Sequence, residues 1–139
     1  MKTPSTFQGI SLLKASAAPT DNSVIYSDEL DTLEYDGGHA VIIIGTTAGA
    51  ASDIDTIHVE ESDASGSGFA DITGADFTAI TTANDGAIQM ASLRLQPRKR
   101  YLRVGYNPGA ANDADWFVVA VLQGARESST NADSYEFEL

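Results

Sequence analysis

Five cationic side chains, Arg94, Arg98, Lys99, Arg100 and Arg103, fall within ten residues of a chain that has only eight Lys and Arg against twenty Asp and Glu, a formal net charge of −12. A basic run of this density can grip phosphate, dock an acidic protein surface, or guard the solvent face of a strand and meet nearby carboxylates. Twenty carboxylates repel phosphate at long range. A groove for single-stranded nucleic acid would also interleave its cations with several aromatics, and only Tyr101 and Tyr106 are at hand. No nucleic-acid partner is expected.

The other residues able to do chemistry do not assemble into a motif. Asp53 with Asp55, Glu60 with Glu61, and Asp113 with Asp115 could each be the carboxylate pair of a glycosidase, but in so acidic a chain such pairs arise by chance. Asp113 and Asp115 offer oxygen donors suited to calcium without the Gly and terminal Glu of an EF-hand. His39 and His58 fall in different predicted strands, with no cysteine and no H-x-x-x-H, so they read as structural histidines. The pieces "GSG" and "GTTAG" lack the lysine of a phosphate-binding loop. Trp116 and Phe117 open a strand, where aromatics serve the core more often than a sugar platform. No enzyme activity, cofactor or metal is expected.

The elements that must position these residues are strands. Small residues, Thr, Asp and Gly dominate, and long apolar stripes of helical period are missing. Strands are predicted at Ser23 to Tyr26, near Thr32 to Glu34, and over His39 to Thr47, whose β-branched run reads as a buried central strand. In "IDTIHVEES", Ile57 and Val59 share one face and His58 and Glu60 the other. "AIQMASLRL", "RYLRVGYN" and "DWFVVAVLQG" are further strands. In the second, Leu102, Val104 and Tyr106 point one way and Tyr101 and Arg103 the other. The turn residues of "NPGAANDAD" predict a hairpin pairing Arg100 to Asn107 with Trp116 to Gln123. "SDASGSGFADITGADF" reads as a long mobile loop tacked down by Phe69, Ile72 and Phe77.

Without a βαβ rhythm, this count predicts an all-β chain, a β-sandwich or jelly roll of about seven or eight short antiparallel strands. The expected organisation is an N-terminal arm (1–22) that pairs at a sheet edge or orders on a partner, a sandwich domain (23–126) and a C-terminal tail (127–139). At 139 residues one such domain buries roughly two thirds of its surface. The first twenty residues lack the pattern of a signal peptide, and no run approaches the roughly 20 apolar residues that cross a bilayer. A soluble protein with no membrane partner is expected.

Two segments carry a resemblance. "LEYDGGHAVIIIGTTAGAASDIDTIHVEESDASGSGFADITGADF" and "RKRYLRVGYNPGAANDADWFVVAVLQGAR", together spanning about Leu33 to Arg126, resemble a family of small tailed-phage head proteins, most informatively in "VEESD" and "KRYLRV". The tail "ESSTNADSYEFEL" runs beyond that pattern. The resemblance implies a capsid cement, or decoration, protein on the outer surface of the virion, present in the host cytoplasm during assembly. Its partners would be the major capsid protein and further copies of itself, as a dimer or trimer. On this reading Arg98, Lys99, Arg100 and Arg103 are contact residues towards capsid or neighbouring copies, with Phe7, Ile10 and Leu12 of the arm as a second contact. Tyr135 and Phe137 could add a strand to a neighbour. Arg103→Glu and Lys99→Glu should then weaken capsid occupancy without unfolding. A carbohydrate-binding jelly roll and a minor head-tail adaptor are the alternatives.

Overall fold

The computed structural model describes residues 9–16, 24–35, 37–46, 56–81, 83, 86–107 and 116–124. These form nine strands: β1 (Gly9–Ser16), β2 (Ile25–Tyr26), β3 (Leu30–Asp31), β4 (His39–Thr46), β5 (Thr56–Ser62), β6 (Ala70–Phe77), β7 (Ile88–Arg94), β8 (Tyr101–Asn107) and β9 (Trp116–Gln123). A single 3-10 turn, Leu33–Tyr35, follows β3 where a strand was expected to run on to Glu34.

The strands form two antiparallel sheets, sheet A in the order β1-β9-β4-β7 and sheet B in the order β2-β8-β5-β6, with β3 also on β8. Pairing is nested. β5 pairs β6, β4 pairs β7, β2 and β3 pair β8, and β1 pairs β9, as in one long hairpin rolled into two layers. Taking β2 and β3 as one interrupted strand, this is the strand order of a jelly roll. The interruption is bridged by Ser27, whose N–H donates to the Val104 carbonyl and whose hydroxyl accepts from the Val104 N–H, both at 2.9 Å.

The core lies between the sheets. Ala40, Ile42, Ile44, Val118, Ala120 and Leu122 reach into it from sheet A, and Ile57, Val59, Ile72, Phe77, Leu102, Val104 and Tyr106 from sheet B. Alternation of period two accounts for the sheet B faces, as expected for Ile57 and Val59 and for Leu102, Val104 and Tyr106.

Two expectations need correction. Strands β8 and β9 do not form a hairpin: β8 pairs β5 and β9 pairs β4, in opposite sheets. β9 is apolar on both faces and suits the middle of sheet A, whereas β8 alternates and suits a sheet with one polar face. Secondly, "SDASGSGFADITGADF" is not a long loop but a hydrogen-bonded turn followed by β6. The Ser62 hydroxyl donates to the Ser67 carbonyl, and Glu29 accepts from the Ser65 hydroxyl and the Gly66 N–H, both at 2.8 Å. Of its predicted anchors, Ile72 and Phe77 do enter the core. The segment read as an arm pairs at a sheet edge, one of the two outcomes expected for it, because β1 adds an edge strand to sheet A through β9.

Candidate functional site

Two surfaces concentrate the residues of interest, one on each sheet. The outer face of sheet B holds a charged cluster built on β5, β6 and β8. His58 and Glu60, two apart on β5, share this face, and Arg103 of β8 stands directly opposite Glu60. Asp71 of β6 also stands opposite Glu60, because a bulge intervenes: Asp76 pairs with His58 and Asp71 with Glu60, so four residues of β6 lie between pairs that only Val59 separates on β5. Gly74, at φ 79°, lies in that bulge and supplies its left-handed backbone.

Glu60 is buried, its side chain 9% exposed, and one carboxylate oxygen accepts from Arg103 Nε at 2.5 Å. The Arg103 guanidinium is held between the rings of Tyr26 and Phe69, at 3.7 and 4.1 Å from their centroids. The other oxygen of Glu60 and Asp71 Oδ1 each lie 3.3 Å from His58 Nε2. The imidazole packs on Gly105, where a Cβ would come within 2.5 Å of Nε2.

Two further cations of the run, Arg100 and Arg98, are also met within the chain. Arg100 makes a bidentate pair with Asp31, at 2.9 and 2.6 Å, and lies over the Tyr101 ring. That guanidinium holds the Asp31 carboxyl below its ordinary range, chiefly through the hydrogen bond and against some desolvation. Arg98 lies 3.7 Å from Glu61, which also accepts the Lys99 N–H. Arg94 ends β7, opposite His39. The basic run is therefore spread over both sheets and the turn between them, and Arg98, Arg100 and Arg103 each face a carboxylate of their own chain.

Other candidate groupings are taken apart by the fold. Glu60 and Glu61 point to opposite faces of β5, so they form no carboxylate pair. His39 is in sheet A and His58 in sheet B. Tyr106 is fully buried and half-buried Tyr101 faces the other way, so the two make no common platform. Asp53, Asp55, Asp113, Asp115, Phe7, Tyr135 and Phe137 lie outside the described residues.

The second surface is the outer face of sheet A, which residue-by-residue reading missed. Cross-strand rows run over it: Met90, Ile43 and Val119 in one, and Ser92, Val41 and Val121 in the next, with Leu12 and Ile10 of β1 in register beside Val119 and Val121. A third aligns Ile88, Gly45 and Phe117. Ile88 is 68% and Met90 71% exposed. No strand of sheet A contains Asp or Glu, whereas the strands of sheet B contain Asp31, Glu60, Glu61, Asp71 and Asp76. Sequence did hold a signal for this face: "AVIII" and "WFVVAVL" are apolar at odd and even positions alike, where a solvated sheet would alternate.

Neither a family model nor a curated protein matches this chain.

Proposed function

We propose that this protein is a capsid cement protein, which binds the outer surface of an assembled phage head and holds neighbouring major capsid protein subunits together. The observation that carries the reading is the outer face of sheet A, apolar over three cross-strand rows and free of carboxylates within a chain of net charge −12. Apolar rows that end in the exposed Ile88 and Met90 favour a protein contact over solvent. The absence of acids on these strands matches the depletion of charge at the centre of protein interfaces. Ile10 and Leu12, expected as contact residues, stand in register with these rows. The resemblance of Leu33 to Arg126 to small tailed-phage head proteins names the partner.

Function then follows from binding alone. A ligand that recognises only the assembled lattice stabilises it by RT ln(1 + [L]/Kd), about 3–4 kcal/mol per site at hundred- to thousandfold excess over Kd. Repetition over the shell multiplies that gain, and a dimer or trimer on a lattice axis adds avidity.

The deciding experiment is the copy number of this protein relative to major capsid protein in purified particles. A ratio near one, or a simple lattice fraction, supports cement. A dozen copies or fewer would favour a head-tail adaptor, and absence from particles would sink both.

A further inference from the structure

We propose that His58, Glu60 and Asp71 form a binding site for a divalent transition-metal ion of the Zn²⁺ type, on the outer face of sheet B and away from the proposed capsid contact. The three side chains are brought together by the bulge in β6, and their ligand atoms all lie within 4.8 Å of one another. His58 Nε2 is 3.3 Å from an oxygen of each carboxylate. The His58–Glu60 contact is also a hydrogen bond, longer than a strong charge-assisted one of about 2.7–2.9 Å. Ligands about 2.0–2.1 Å from one tetrahedral ion are separated by about 3.3–3.4 Å, the spacing of His58 Nε2 from each carboxylate.

The donors are held as metal ligands are. Glu60 is buried, and Arg103 occupies one of its oxygens while the other faces His58. An outer partner of this kind fixes a ligating carboxylate and tunes its basicity. The rings of Tyr26 and Phe69 hold Arg103 in turn. Gly105, lacking a Cβ, leaves the space over β8 that the Nε2 edge of the imidazole occupies, 3.3 Å from each carboxylate. Asp71, 70% exposed, closes the site from the solvent side and leaves room for a water as fourth ligand. One imidazole and two carboxylates suit zinc or a neighbouring transition ion, whereas magnesium and calcium prefer all-oxygen sets. The two carboxylates against Arg103 leave a local charge of −1 for the cation to meet. The ion would tie β5 to β6 across the bulge, a structural cross-link without a catalytic step.

The test is a ZnCl₂ titration of the EDTA-treated full chain by calorimetry, alongside thermal unfolding with and without zinc. Wild type should bind one Zn²⁺ and melt higher with zinc. Asp71→Asn and His58→Gln should each weaken binding about tenfold or more and lose the zinc-dependent rise, whereas His39→Gln should bind as wild type does. Asp71 is exposed, so its variant serves if His58→Gln does not fold, and a zinc-induced shift of the His58 ring nitrogens by NMR adds a readout on wild type. Absence of saturable binding, equal affinity in Asp71→Asn, loss on changing His39, or displacement by millimolar Mg²⁺ would each overturn the proposal.

Discussion

Residue contacts explain why so acidic a chain concentrates its cations. Arg103 neutralises a carboxylate that β5 holds in a buried position, and removing the guanidinium would leave Glu60 uncompensated. Arg103→Ala should therefore cost about 2–4 kcal/mol in chemical denaturation, and Arg103→Glu more. This replaces the sequence-based expectation that Arg103→Glu would spare the fold. Arg100 and Asp31 are more exposed, and their effect is one of pH. Because Asp31 titrates below its ordinary value of 3.8 in the folded chain, its pairing contributes stability above that value and loses it as pH falls through the folded-state pKa. Arg100→Ala should lower the urea midpoint at neutral pH, and the gap from wild type should close as acid protonates Asp31 below the ordinary carboxylate range. Gly105 is the third telling residue. Gly105→Ala drives a methyl group into the His58 ring and should destabilise by about 1–3 kcal/mol, with the loss reduced in a His58→Ala background.

Single elements decide which of these residues meet. The alternation of β5 placed His58 and Glu60 on one face in the sequence, but Asp71 joins them only through the β6 bulge, whose register no local pattern announces. The "GSG" and "TGAD" glycines marked backbone irregularity there without saying that a strand followed. Sheet A poses the complementary case. Its apolar strands were legible, but which rows face outward depends on β4 and β9 lying side by side between β1 and β7. Edge strand β7 carries the two most exposed large apolar side chains among the described residues, Ile88 and Met90. Met90→Asp should reduce occupancy on purified shells at least tenfold, by about 1.4 kcal/mol or more. It should leave the denaturation midpoint within about 0.5 kcal/mol of wild type, as a surface substitution does. Unchanged occupancy would remove sheet A from the contact.

For the whole molecule, the nested pairing brings the ends of the described chain, β1 and β9, side by side and makes the contacts predominantly long-range. Such topologies fold in milliseconds to seconds, a range that stopped-flow fluorescence of the single tryptophan would reveal. The core between the sheets tolerates little loss: Ile44→Ala should cost about 2–5 kcal/mol. The rolled hairpin also separates the surface into an acid-free sheet and an acidic one, so the protein can stay strongly charged while presenting an apolar face. By itself the sequence determined the all-β class, the position of most strands and the inward faces of β5 and β8, because strand propensity and period-two burial are local properties. Tertiary structure alone decided that β8 and β9 lie in different sheets, that Arg98, Arg100 and Arg103 are answered within the chain, and that His58, Glu60 and Asp71 converge. Those outcomes rest on partners far apart along the chain, whose pairing is chosen by how two whole sheets bury their apolar faces.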